Sequence, residues 1–223
     1  IGAIVRWRND DWQRIWKRLA LILAASVVAG LIIGVLFVEN SFIKSVAGII
    51  AALWIILTSL SAVNTRLTHR QNKLTALLNI PRSFFGMTLA HIGFAVCIIG
   101  ITITSQHSVD LHERMAPGDN VSFAGYTFTL RSIDEVPGPN YVASEAVVDV
   151  VKDGKAITTL RSQKRIYKVR NMPMTEAGID SGFTRDLYVS LGEPLDNEAW
   201  SIRLYHKPFV RWIWLGAISQ SMH

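Results

Sequence analysis

A histidine in the middle of a long apolar run is the residue of this sequence best placed for chemistry. His91 lies eight residues after Ser83, the first residue of a 23-residue uncharged run that extends to Ser105. At about 1.5 Å per helical residue this depth is roughly 12 Å, near the centre of a bilayer. Ionisable side chains at that depth are rare and usually functional, and a neutral imidazole is able to bind a haem iron. A hydrogen bond to a serine or threonine of a neighbouring helix is the structural alternative, with equal weight.

The same run carries a ridge of small residues along one helical face. The ridge follows a 4-3-4-3 spacing through Gly86, Ala90, Gly93, Cys97 and Gly100. Small residues usually admit a neighbouring helix, and Gly30 with Gly34 in the first run is a motif of the same kind. His91 lies about 100° around from Ala90, at the border of the ridge, so a flat ligand held between two helices remains possible. A bis-histidine haem would need its second ligand from outside this sequence.

The other five histidines are weaker candidates. His107 and His112 follow the third run at a spacing of five residues, which is poor for one helical metal face. His206 precedes a fourth apolar segment, His69 lies in a basic loop, and His223 ends the sequence. Because exposed histidines in loops are common, a metal or haem role is not expected for any of them.

Three uncharged runs define the class of protein. Ala20 to Val38 has 19 residues, Ser45 to Thr65 has 21 and Ser83 to Ser105 has 23, and each can cross about 30 Å of hydrocarbon as a helix. Half of the 223 residues are hydrophobic and 18% are charged, against about 25% in ordinary soluble domains. Disorder, collagen and disulfide scaffolds are excluded. The sequence therefore predicts a membrane protein with three transmembrane helices in residues 1–105.

The net charge of +6 lies in the first half, which favours a membrane orientation over nucleic-acid binding. Residues 1–105 carry ten Lys or Arg against three Asp or Glu, whereas residues 106–223 carry thirteen against fourteen. The cations precede the first run and fill the loop around Thr68, so the positive-inside rule places both in the cytoplasm. Residues 106–211 would then lie on the outer, extracytoplasmic side.

A fourth transmembrane helix is expected to start at Trp212 and to be cut short, because residues 219–223 continue it poorly. The sequence begins with Ile1 rather than Met, so we expect a piece of a longer protein. Aromatic belts at the membrane interfaces account for most of the six tryptophans that flank these helices, namely Trp7, Trp12, Trp16, Trp200, Trp212 and Trp214.

Residues 106–211 change to short segments with the period of strands. Val121 to Leu130 alternates in places and is rich in β-branched and aromatic residues. A hairpin is predicted by a strand from Ala143 to Val151, an Asp-Gly turn at 152–155 and a return strand from Ala156. We therefore expect an all-β barrel or sandwich between helices. Further strands are expected at Ile166 to Val169, Asp186 to Leu191 and Trp200 to Tyr205.

One basic stretch stands out in this β-region, with no acid from Gly154 to Thr175. A solvated strand face is its ordinary explanation, and attraction of haem propionates or of an acidic partner is the functional one. The single cysteine, Cys97, excludes an internal disulfide, a Cys-x-x-Cys pair and a c-type cytochrome, and we expect a packed, inert thiol. The stretch consists of Arg161, Lys164, Arg165, Lys168 and Arg170.

Three separated stretches resemble the C-terminal part of the CcmF family, in the same order. They are NIPRSFFGMTLAHIG at 79–93, GFTRDLYVSLGE at 182–193 and YHKPFVRWIW at 205–214. CcmF proteins are the large membrane subunits of the bacterial cytochrome c maturation haem lyase, and the NrfE proteins are similar. The resemblance runs from the tryptophan-rich start to Gly216, and the residues after Ala217 depart from it.

The resemblance implies a multi-pass protein of the bacterial inner membrane that helps attach haem to the Cys-x-x-Cys-His motif of apocytochromes c. It implies a b-type haem between two transmembrane histidines, of which His91 matches the second. The first ligand, a tryptophan-rich haem-handling motif and paired periplasmic histidines belong to a part of the family absent here, and His107, His112 and His206 match none of them. The resemblance implies that this chain is part of a haem lyase complex, so the fragment alone should be inactive.

The implied partners are the N-terminal half of the same protein or a split partner, a haem chaperone, apocytochrome c, other maturation subunits and the lipid bilayer, without nucleic acid. Two other functions stay open. A non-catalytic membrane scaffold would recruit the haem chaperone or apocytochrome, with His91 only a packing residue. A quinol- or haem-bearing electron-transfer subunit would bind haem, and its deletion would cause no defect in cytochrome c maturation.

Overall fold

The computed structural model describes residues 12–38, 42–68, 80–169 and 172–221. They form two compact units, a helical unit and a β-sandwich over residues 107–208. The predicted fold class, apolar helices with an all-β domain, is confirmed. The predictions about Trp7, His69, Arg170 and His223, and about the side chain of Trp12, lie outside the described residues. The described helices are α1 (Trp12–Phe37), α2 (Phe42–Leu67), α3 (Arg82–His107) and α4 (Val210–Ser221).

Three of these helices are long and apolar enough to cross a membrane. The candidate spans are Ile15–Phe37, Phe42–Leu67 and Arg82–His107, and the last two have 26 residues each, or about 39 Å. They extend beyond the uncharged runs because Arg66, Arg82 and other polar residues continue the helices at their ends. α4 begins at Val210, two residues before the expected start, and its 12 residues extend only about 18 Å.

α1 and α2 pack as an antiparallel pair. A Cβ atom on Gly30 would overlap Ile50, and one on Gly34 would overlap Val46, so these backbones approach closely. This contact confirms that Gly30 and Gly34 form a helix-packing motif. Near the other end of the pair, the Arg18 guanidinium donates to the Ser61 hydroxyl at 2.8 Å and to the Thr65 hydroxyl at 2.5 Å.

The β-unit consists of two antiparallel sheets that pack face to face. The strand order is β1-β9-β8-β7 in one sheet and β2-β3-β4-β5-β6 in the other. Alternate residues of β3, β8 and β9 point inward, so Phe128, Leu130, Val189 and Leu204 are fully buried in one core. The strands are β1 (Val109–Met115), β2 (Asn120–Phe123), β3 (Tyr126–Pro137), β4 (Tyr141–Lys152), β5 (Lys155–Tyr167), β6 (Pro173–Glu176), β7 (Gly178–Ser181), β8 (Arg185–Pro194) and β9 (Trp200–Pro208).

The predicted β4–β5 hairpin is confirmed, and its strands are longer than expected. Asp153 and Gly154 connect the strands with φ values of 50° and 75°, the left-handed conformation that an Asp-Gly hairpin turn requires. Ile166 does not start a separate strand, because β5 continues without a break to Tyr167.

The chain enters and leaves the sandwich at the same end. One residue separates α3 from β1, one separates β9 from α4, and Val109 pairs with His206 across the two strands. Trp200 lies at the other end of β9, where it packs against the sandwich core.

A buried hydroxyl joins the two sheets along one seam. Ser162 of β5 is completely buried, and its Oγ donates to the Glu176 carbonyl of β6 at 2.9 Å. The same oxygen accepts the Leu191 amide of β8, also at 2.9 Å. Because Leu191 belongs to the opposite sheet, one side chain satisfies polar backbone groups of both layers.

Replacing Ser162 by Ala should destabilise the sandwich by about 1–3 kcal/mol, since it leaves the Leu191 amide buried without an acceptor. Urea unfolding of the full chain in detergent, followed by the β-sheet circular dichroism signal, measures the change. The matched control Ser122→Ala removes an exposed hydroxyl of β2 and should change the free energy by less than about 0.5 kcal/mol. Equal midpoints for the two variants would show that Ser162 does not join the sheets energetically.

Candidate functional site

His91 lies on the side of α3 that packs against α2. Phe84 and Thr102 share this side, within about 40° of His91 around the helix. The Phe84 ring receives the Arg66 guanidinium of α2 at 3.9 Å, and a Cβ atom on Gly48 of α2 would overlap the Thr102 hydroxyl. The face of α2 that is turned toward α3 has small side chains at its buried positions, namely Ala52, Ser59 and Ala62.

The small-residue ridge faces a different neighbour. A Cβ atom on Gly93 would overlap the Ser219 hydroxyl, one on Gly216 would come within 2.7 Å of Cys97, and one on Gly100 within 3.0 Å of Ile213. The ridge is therefore a helix-packing surface covered by α4, as its composition indicates. Because Gly93 and Cys97 lie about 120–160° from His91, a flat ligand seated on this ridge beside the imidazole is excluded.

A hydrogen bond within α3 determines which imidazole nitrogen carries the proton. His91 Nδ1 lies 2.7 Å from the carbonyl oxygen of Met87, one helical turn earlier. A carbonyl oxygen only accepts, so Nδ1 must be the donor, and the lone pair of the neutral ring is then on Nε2. Among the described residues nothing hydrogen-bonds to Nε2, and the expected alternative of a bond to a serine or threonine of another helix is not formed.

An apolar surface lies beside the half-buried His91 ring. Phe94 is 48% exposed and lies one turn after His91, about 60° around α3, between the sectors that contact α2 and α4. Ile101, 50% exposed, continues this sector about 15 Å from His91 along the helix. A histidine whose Nδ1 donates to a backbone carbonyl, with a free Nε2 next to apolar surface, has the arrangement of a metal-ligating histidine. The residues present therefore fit an axial ligand to a haem.

The structure does not bring the other histidines together. His107 is exposed at the end of α3, and His112 is exposed on β1 with Nε2 3.5 Å from an Asp110 carboxylate oxygen. The described residues include no cluster of three or more His, Cys, Asp or Glu side chains that could hold a metal ion.

The basic stretch of β5 is largely neutralised by acids from other strands. Arg161 pairs with Glu145 at 2.7 Å, Arg165 pairs with Glu176 at 3.2 Å, and Lys164 pairs with Glu193. The hydrogen bond from Gln163, followed by that from Arg161, lowers the pKa of the Glu145 carboxyl, so this acid stays charged. These cross-strand pairs support the ordinary explanation of a solvated strand face.

Lys164 differs from its basic neighbours in a way that the charge pattern of the stretch does not show. Its side chain is 11% exposed, against 64% for Arg161, because residues 160, 162 and 164 alternate toward the other sheet. The two-residue period of a strand does indicate that Lys164 points inward, because it shares a face with Leu160 and Ser162.

His206 of β9 lies among cations at the end of the sandwich where the chain enters. Its ring centroid is 6.2 Å from that of Tyr126, whose hydroxyl accepts the Arg185 Nε at 3.1 Å. Burial first, and then the charges of Arg185 on β8 and Lys152 on β4, lower the pKa of the His206 imidazole below its ordinary 6.5. His206 is therefore neutral at physiological pH.

Removing one of these cations should move the pKa of His206 back toward 6.5. We expect a higher pKa in Lys152→Gln and no change in Lys155→Gln, whose side chain lies at the other end of the same turn. A histidine-selective NMR titration of the full chain in detergent measures both. Identical titrations in the two variants, or a value above 6.5 in the unaltered chain, would contradict this electrostatic account.

The same shift has a consequence for stability. Below about 6.5 the unfolded chain binds the proton more readily than the folded one, so the free energy of unfolding falls as pH falls through the lowered pKa. Above pH 6.5 the contribution of His206 to the free energy of unfolding is fully present.

Comparisons with known proteins agree with this architecture. Residues 106–208 match the family model described as the CcmF C-terminal β-sandwich. The cytochrome c-type biogenesis protein CcmF of Pseudomonas aeruginosa is 41% identical over 218 residues, which are 98% of this chain and 33% of that protein. CcmF of Escherichia coli is 40% identical over 222 residues, which are 100% of this chain and 33% of that protein.

A solved structure titled cytochrome c heme lyase CcmF has the same fold, with a TM-score of 0.72 at 15% sequence identity. The match covers 98% of this chain and 35% of that one, so the chain spans about a third of the proteins it resembles. With its helices and sandwich aligned along nearly the whole length, the chain belongs to the CcmF family of cytochrome c-type biogenesis proteins.

Proposed function

We propose that this chain supplies His91 as one axial ligand of a b-type haem in a membrane-bound cytochrome c maturation system. The hydrogen bond from Nδ1 to the Met87 carbonyl supports this role most directly, because it presents an unprotonated Nε2. The names of the relatives, cytochrome c-type biogenesis proteins and a heme lyase, supply the biological context. The second ligand lies outside this chain.

The residues around His91 would position the ring and exclude water. Contacts of Phe84 and Thr102 with α2 fix the rotation of α3, and the Met87 carbonyl fixes the ring and its tautomer. Phe94, one helical turn from His91, offers apolar surface to the macrocycle. A haem bound there would supply one-electron chemistry.

The orientation follows from the charges at the helix ends. Because the helices are antiparallel, Arg18, Arg66 and Arg82 lie at the same end of the helical unit. The positive-inside rule makes this end cytoplasmic, and α3 then leads the chain to the opposite side. We place the sandwich in the periplasm of a bacterial inner-membrane protein, where it would meet the haem chaperone, apocytochrome c and other maturation subunits.

Replacing His91 should remove the haem without removing the protein. The chain is co-produced with the two-thirds of the P. aeruginosa relative that it does not match, and haem per protein is read from reduced-minus-oxidised spectra. We expect His91→Ala to lower haem occupancy at least about tenfold, because even loss of a ligand's hydrogen-bond partner typically costs that much affinity. The yield of holocytochrome c should fall with it.

Two control variants sharpen the test. His107→Gln removes the exposed histidine at the end of the same helix and should leave haem content unchanged. His91→Met replaces one iron ligand by another, and should retain haem with an altered reduction potential. Unchanged spectra and cytochrome yield in His91→Ala would overturn the ligand assignment. A complex without haem that still captures apocytochrome would favour the scaffold function.

A further inference from the structure

A polar cleft opens within the β-unit, at the seam where β6 meets β8. Its volume is about 220 Å³, or roughly seven water molecules, which accommodates a carboxylate or phosphate group but no macrocycle. Its walls include Lys164 of β5, Thr175 of β6, Ser190 and Glu193 of β8, and Ser201 and Arg203 of β9.

The cation in this cleft is largely buried, and its counterion is largely exposed. The Lys164 side chain is 11% exposed, and Nζ donates to the Gly192 carbonyl at 3.1 Å. Its ion-pair partner, Glu193, is 77% exposed on the surface. A lysine ammonium has three donors, and among the described residues only these two acceptors are found for it.

Further donors converge on the same space. Ser190 and Arg203 are paired neighbours across β8 and β9, and Ser201 lies two residues before Arg203. Within the described part of the chain, neither serine hydroxyl nor the Arg203 guanidinium has a hydrogen-bonding or ion-pair partner. The cleft therefore has two cations, Lys164 and Arg203, for the single carboxylate of Glu193. Its unpaired groups, the two serine hydroxyls and the Arg203 guanidinium, are all able to donate hydrogen bonds.

We propose that this cleft binds a small oxyanion, a carboxylate or a phosphate group, which displaces the Glu193 carboxylate from Lys164. When the ligand replaces the Glu193 carboxylate, the buried Lys164 ammonium exchanges one anionic partner for another. The cleft therefore does not bury an unpaired positive charge. Glu193 occupies the position of the ligand and competes with it. The hydroxyls of Ser190 and Ser201 and the Arg203 guanidinium would complete the coordination of the bound group.

The test uses the full chain in detergent, labelled with 15N-glycine, with the Gly192 amide as reporter. Sodium acetate and sodium phosphate are titrated separately, against sodium chloride at the same ionic strength. We expect a saturable Gly192 shift with at least one of the two oxyanions and none with chloride. The stronger binder identifies the carboxylate or the phosphate as the preferred ligand.

Variants separate a binding site from a structural ion pair. Glu193→Gln removes the competitor, and we expect affinity to rise about tenfold, whereas a purely structural pair would give no gain. Lys164→Met keeps the length of the side chain and should abolish the shift. If that variant does not fold, Arg203→Gln on the exposed side should still weaken binding several-fold, with Lys155→Gln as the unchanged control. No saturable shift in either the unaltered chain or Glu193→Gln would overturn the proposal.

Discussion

The proposed ligand role of His91 depends on one hydrogen bond within a single turn of α3. A backbone carbonyl in a helix already accepts one amide, and its second lone pair remains available. The Met87 carbonyl uses that lone pair for His91 Nδ1, which fixes the tautomer from within the helix and requires no partner from another one. The nitrogen that can bind a metal is thereby left for a group outside the described helices.

Packing on two sides of α3 fixes the rotation of the helix and therefore the direction in which His91 points. Contacts with α2 lie on the side of His91, and contacts with α4 lie on the ridge of Gly93 and Cys97. Both interfaces use small residues on at least one helix, so the backbones approach closely and α3 cannot rotate without overlap. The apolar sector of Phe94 and Ile101 is one surface through which α3 can meet a further component, and exposed Phe85 and Leu89 form another.

Much of the fold could be predicted from the sequence because its determinants are local. Uncharged runs set the three long helices, and Asp153-Gly154 set the central hairpin. The spacing of small residues also predicts the ridge as a helix contact, but a single helix does not show which neighbour covers which side. The sequence predicts His91 at the border of the ridge, and the structure adds that its side of α3 contacts α2.

The remaining differences come from partners distant in sequence. Trp200 packs against the core of the sandwich because it starts β9, and residues of other strands form that core. The β5 stretch looked strongly basic because its acids, Glu145 and Glu193, come from strands before and after it. Sheet registration, which a linear scan does not provide, determines these pairs.

Neutralisation of β5 changes what the sandwich is able to recognise. A face with its cations paired exerts little long-range attraction on an acidic protein or on propionates, because surface pairs are screened and nearly neutral at a distance. Selectivity for anions must then come from donors held at short range in a concave site, where the surroundings exclude water. Lys164 meets that condition because the sheet period turns it inward, away from the solvated row formed by Arg161 and Arg165. Alternation along one strand thus divides its cations into those that stabilise the surface and one that is able to bind.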